Sequence, residues 1–145
     1  MNKSLQSALM LCLCFSWLGL SSHAWAETLT VVIENIEAAE GHLMVRVLQG
    51  EEEFKAEREA VTAIKQRAIV GAITFAISNL PAGEYGLQVM HDQNDNGKLD
   101  SNFIGIPTEP WAFSNNATGK MGPPSWEDVK FQLTDSVTQA IRLNH

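Results

Sequence analysis

The chain has 145 residues, 45% of them hydrophobic, and a formal net charge of −7 at pH 7. That balance suits a folded domain of ordinary size and argues against nucleic acid and anionic membranes as partners. Both cysteines, Cys12 and Cys14, lie near the N-terminus, so thiol catalysis and zinc–thiolate sites are excluded for the remainder.

Residues 1–26 read as a secretory signal. Lys3 precedes the apolar stretch "LQSALMLCLCFSWLGL", and Ala24 and Ala26 are the small residues of a cleavage site. Gln6, Ser7 and Ser16 interrupt the apolar run, which is short for the roughly 20 residues of a membrane span. Leucine precedes each cysteine, where a lipoprotein signal needs a small residue. The expectation is cleavage after Ala26, no membrane anchor thereafter, and a periplasmic or secreted location. The remaining chain, 27–145, is expected to be a single β-sandwich domain. It enters a compartment that permits disulfides and carries no cysteine to make them.

Period-two alternation marks the strands, one face buried and the other wet. "TLTVVIENI" (28–36) puts Leu29, Val31 and Ile33 on one face, and "HLMVRVLQ" (42–49) does the same with Leu43, Val45 and Val47. The short "EAAEG" between them predicts an antiparallel hairpin. Charges and helix formers in 50–70 predict a helical turn over 51–58, with Glu51 and Lys55 at (i, i+4), then a strand through 61–70. "AITFAIS" (72–78) and "EYGLQVMH" (84–91) alternate again, and Pro81 and Gly83 between them predict an antiparallel return. "VKFQL" (129–133) and "SVTQAIRLN" (136–144) close the chain, joined by a turn at Thr134–Asp135. The pattern predicts an all-β, antiparallel β-sandwich of the immunoglobulin or prealbumin-like kind, with one short helical excursion and a long loop.

"DQNDNGKLD" (92–100) interrupts the alternation. Asp92, Asn94 and Asn96 occupy positions 1, 3 and 5 of a calcium-loop opening, with Gly97 at position 6. A backbone curling around a cation turns every second side-chain oxygen inward, and glycine permits the sharp sixth step. Lys98 would offer its backbone carbonyl and Asp100 its carboxylate. Position 12 is Phe103, not a glutamate, and a strand precedes the loop, so this is not an EF-hand. Glu109 is the nearest later carboxylate. The metal-ligand set is therefore Asp92, Asn94, Asn96, Lys98 and Asp100, with calcium as a structural ion held at about 10⁻⁴–10⁻³ M. The bland alternative is a loop whose Asx side chains bond its own backbone. His91 shares the inward parity of Tyr85, Leu87 and Val89 and reads as a satisfied, semi-buried histidine.

The long segment after the loop carries Trp111, Phe113 and Trp126 among polar residues. These rings are read either as plugs under the loop or, with Asn115 and Asn116, as the lining of a groove for a sugar or small ligand.

With "LPAGEYGLQVMHDQNDNGKLDSNFIGIPTEPWAFSNN" followed by "GPPSWEDVKFQL", the chain resembles the bacterial domain-of-unknown-function-2141 family over most of 27–145. The resemblance implies a small exported bacterial protein with a β-sandwich fold, and brings no established activity, ligand or catalytic residue. The family's loop is usually followed by glycine–aromatic–glycine, where this chain has Pro110, Trp111 and Ala112.

Three functions stand as expectations. The first is a non-enzymatic exported module with a structural calcium loop. The second is a periplasmic small-molecule or glycan binder. The third is a hydrolase on a prealbumin-like scaffold. Fold analogy alone carries no function. The arginine–glycine–serine terminus of hydroxyisourate hydrolases is missing from "IRLNH", and no G-x-S-x-G or H-E-x-x-H motif occurs, so no catalytic residue is assigned. The sequence names no small ligand or protein partner.

Overall fold

The computed structural model describes residues 27–56 and 60–145. The expected signal segment lies outside them, as does the end of the helical turn expected over 51–58. Among these residues eight strands form: β1 (Glu27–Ile36), β2 (His42–Leu48), β3 (Thr62–Arg67), β4 (Gly71–Leu80), β5 (Gly83–Asp92), β6 (Trp111–Phe113), β7 (Phe131–Leu133) and β8 (Val137–Arg142). One sheet has the order β4-β1-β8, the other β3-β2-β5-β6, with β7 also paired to β5. The protein is an all-β sandwich.

The alternating residues make its core. Leu29, Val31 and Ile33 of β1 and Leu43, Val45 and Val47 of β2 are fully buried, with Tyr85 and Leu87 of β5 and Ile141 of β8. Burying each such aliphatic chain stabilises the fold by about 1.5–3 kcal/mol relative to leaving it in water.

The connections depart from the expected hairpins. β1 and β2 are not neighbours: β1 pairs with β4 and β8, and β2 with β3 and β5. Each strand has one apolar face, and stacking the two across the sandwich buries both. Five residues suffice to cross the roughly 10 Å between layers. The turn at Pro81 likewise carries the chain from one sheet to the other, and so does the turn at Thr134–Asp135. β8 lies parallel to β1, the one parallel pairing in the sandwich among the described residues.

At the Pro81 crossing, the Tyr85 ring is fully buried and its hydroxyl donates to the Pro81 carbonyl at 2.8 Å. This is the tyrosine-corner arrangement, which pins the crossing to the start of the next strand. Burial raises the Tyr85 pKa above its ordinary value.

Among the described residues two short α-helices pack on each other, and the second lies against β5. The expected helical excursion is α1 (Glu51–Lys55), closed by a Lys55–Glu51 ion pair at 2.6 Å. The second, α2 (Trp126–Val129), stands where the strand pattern was expected to begin at Val129. Ser125 and Asp128 form its capping box. Phe54, Trp126 and Val129 pack with Leu48 into a second apolar cluster. Gly86 makes room for it, because a Cβ there would stand 2.8 Å from the Trp126 ring.

Candidate functional site

β5 is the central strand that delivers the loop, and it ends at Asp92. That carboxylate is fully buried and accepts the backbone N–H of Asn96 at 3.0 Å and of Gly97 at 2.8 Å. Position 1 therefore folds the loop back over itself, and Gly97 takes the turn with φ of 77°. Asn94 Oδ1 accepts the Asn96 N–H at 3.0 Å, and Asn96 Oδ1 accepts the Lys98 N–H at 2.8 Å. These are the self-bonding Asx turns of the bland alternative.

The remaining side-chain atoms converge. Asn94 Nδ2 donates to Asp100 Oδ2 at 2.6 Å, and Asn96 Nδ2 reaches both Asp100 oxygens at 3.0 Å. Positions 3, 5 and 9 thus meet at one point. Glu109 does not join them. Only 6% exposed, it accepts the Gln93 N–H at 2.8 Å on one oxygen and the Asp100 N–H at 3.0 Å on the other. It clamps entry and exit together, helped by the His91 N–H to Pro110 carbonyl bond and the Thr108 N–H to Asp100 carbonyl bond, both 2.8 Å. Among the described residues no three His, Cys, Asp or Glu side chains gather as a metal-holding group. The convergent donors include two amides and only one carboxylate.

Asp95, which the spacing did not single out, anchors the loop to the sheet. Its carboxylate bonds His42 Nδ1 on β2 and lies 3.7 Å from Lys65 Nζ on β3. The His42 hydrogen bond, followed by the charges of His42 and Lys65, holds its pKa below the ordinary aspartate value. The loop also leans on Gly41. A Cβ there would fall 1.9 Å from the Asp92 carbonyl oxygen, at a φ of 64°.

His91 is fully buried rather than semi-buried, on the same face of β5 as the buried Leu87 and Val89. Its Nε2–H donates to the Glu40 carbonyl at 2.8 Å, and Nδ1 is buried without a hydrogen-bond partner among the described residues.

The five residues expected to line a groove are held differently. Trp111 and Phe113 stack edge-on with centroids 5.6 Å apart, Phe113 meets Phe54 at 6.0 Å, and Phe54 meets Trp126 at 5.8 Å. Phe54 and the buried Trp126 belong to the second cluster with Phe113 packed against it, and the half-buried Trp111 extends the chain of rings beyond it. Asn115 and Asn116 adopt left-handed backbone. The Asn115 amide donates to the Asp128 and Lys130 carbonyls, and the Asn116 amide to the Ala140 carbonyl. Asn115 also borders an open polar cavity of about 600 Å³, beside Lys120, Pro123, Ser125 and Asp128. Ser114, which the sequence reading passed over, is fully buried and ties β5 to α2, accepting the Leu87 N–H and donating to the Val129 carbonyl.

Residues 31–141 match a family described as "uncharacterized protein conserved in bacteria (DUF2141)". The chain belongs to this family. No curated protein and no solved structure matches it. No helix among the described residues is long and apolar enough to cross a membrane.

Proposed function

We propose that the protein is an exported, periplasmic or secreted module without catalytic activity, whose 92–100 loop holds calcium as a structural ion. The observation that carries this reading is the meeting of Asn94, Asn96 and Asp100 at one point, over a turn made at Gly97. For oxygen to face the point where Asp100 stands, each terminal amide makes a half-turn and gives up the Asn96 or Lys98 N–H bond that its Oδ1 accepts, so ion binding exchanges these Asx bonds for ligation. The donor set fits the ion. Asp92, Asn94, Asn96, Asp100 and the Lys98 carbonyl each carry an oxygen, the ligand that hard cations take, with Asp92 also accepting two backbone N–H bonds of the loop. The buried Glu109 fixes the backbone of Gln93 and Asp100, so the ligands are pre-arranged from behind. When bound, the ion supplies charge neutralisation and a rigid loop, and through the Thr108–Asp100 bond it stiffens the chain that follows.

Calorimetric titration of calcium into chelator-treated protein tests this. One site with a Kd of about 10⁻⁴–10⁻³ M is expected, weakened about tenfold or more in Asp100→Asn. No heat of binding at millimolar calcium removes the reading.

A further inference from the structure

The sandwich guards its sheet edges unevenly. An unpaired strand edge is a row of free N–H and C=O groups, and charges, prolines, bulges or covering segments ordinarily protect it. On β8 the Asn116 side chain covers the edge, accepting the Arg142 N–H at 2.7 Å and donating to the Ala140 carbonyl at 3.1 Å. β3 carries the exposed charges Lys65 and Arg67. β6 and β7 have three residues each.

β4 has none of these devices along most of its length. It is a 10-residue terminal strand whose one partner strand among the described residues is β1. From Ala68 to Gly83 no side chain is charged, the longest such run among the described residues. The register with β1 is regular from Ile73 to Ile77 and shifts on either side, between Ile77 and Leu80, where Asn79 has φ of 66°, and between Ile73 and Gly71, where the extra residue lies on β1. The inward residues Ile73, Phe75 and Ile77 are only half-buried, and Ile69 and Val70 just before the strand are 49% and 66% exposed. The core is open along this edge.

We propose that β4 pairs antiparallel with β4 of a second copy, joining the two three-stranded sheets into one continuous six-stranded sheet. The edge admits a copy of this chain as the occupant. Molecules of net charge −7 repel one another, and this uncharged run is where two copies meet with no like charges face to face. Shape supports it. A two-fold axis at Thr74 sets Ile73 opposite the partner's Phe75, a favourable β-branched–aromatic pair, and Thr74 opposite the partner's Thr74. Ile77 then lies over the partner's Gly71, where no atom stands within 4 Å of a Cβ position. The paired stretch from Gly71 to Ile77 forms roughly six to eight inter-strand hydrogen bonds, within the 10 ± 5 of an ordinary interface.

Sedimentation of the purified protein tests the proposal, with Thr74→Glu and Thr74→Lys as variants. Thr74 is exposed on the outer face, so both are compatible with the fold, and far-ultraviolet dichroism checks that. The wild type is expected to form a reversible dimer below about 100 μM. Each variant alone sets two like charges face to face and weakens the dimer about tenfold or more. Mixed in equal amounts, the two variants form a heterodimer and recover association. A wild type that stays monomeric above about 100 μM overturns the proposal, whatever other strand the edge accepts. A dimer indifferent to both substitutions, or variants that do not complement each other, overturns it equally.

Discussion

Glu109 and Asp100 are joined by a hydrogen bond in which the buried Glu109 carboxylate accepts the Asp100 backbone N–H at 3.0 Å. Its other oxygen accepts from Gln93, so one side chain holds both ends of the loop. Glu109→Gln turns one acceptor into an NH₂ facing an N–H. Hydrogen bonds to a charged group contribute about 1.5–3 kcal/mol, and a loss of that size is expected in chemical denaturation. Hydrogen exchange should localise it: the Gln93 and Asp100 amides lose protection while core strand β1 keeps its own.

Tyr85→Phe removes the hydroxyl that donates to Pro81 and keeps the buried ring. The expected cost is about 1 kcal/mol, that of one ordinary hydrogen bond. Unfolding by denaturant measures it, and an unchanged midpoint means the corner does not hold the crossing between sheets.

Gly41→Ala is expected to be more damaging. The added Cβ meets the Asp92 carbonyl at 1.9 Å, and alanine is strained at the φ of 64°. Both partners are backbone, so neither yields by rotating a side chain. A loss of about 2 kcal/mol or more is expected, with shifted amide resonances in 92–97.

Asp95 gives the pH prediction. The His42 hydrogen bond depresses its folded-state pKa below 3.8. A depressed carboxylate contributes stability above its unfolded pKa, lost as pH falls through the folded value. His42→Ala removes that anchor and should raise the Asp95 pKa toward that of a free aspartate, so that the remaining Lys65 contact is lost at higher pH. Carbon-detected titration of the Asp95 carboxylate reads this directly; an identical titration curve in the variant means that His42 does not set it.

Strand identity was legible except for β6, whose three residues are too few to show alternation, and strand partnership was not. The alternation of Leu29, Val31 and Ile33 states that one face is buried, yet it is silent on whether the covering strand is a neighbour or lies across the core. Hence β1 and β2 read as a hairpin although they stand in opposite sheets. α2 hid because Val129 continued the alternation of β7. The Ser125-x-x-Asp128 capping signature was the available signal. In the loop, spacing alone pointed to Asn94, Asn96 and Asp100, whose side chains meet, and to Asp92, whose carboxylate folds the backbone instead. Asp95 was invisible because its partners, His42 and Lys65, come from strands distant in sequence. Trp126 resisted assignment for a related reason: an aromatic in a long loop is platform or plug according to what packs on it, and Phe54 and Gly86 decide that here.

The central claim is that the loop holds calcium, and the thermal midpoint tests it most directly. A ligand that binds only the folded state at about ten to a hundred times its Kd adds roughly 1.4–2.7 kcal/mol. Chelated protein brought to about 10 mM calcium should therefore melt several degrees higher, with Asp100→Asn showing little or no rise. A wild-type midpoint that stays where chelation left it contradicts the account.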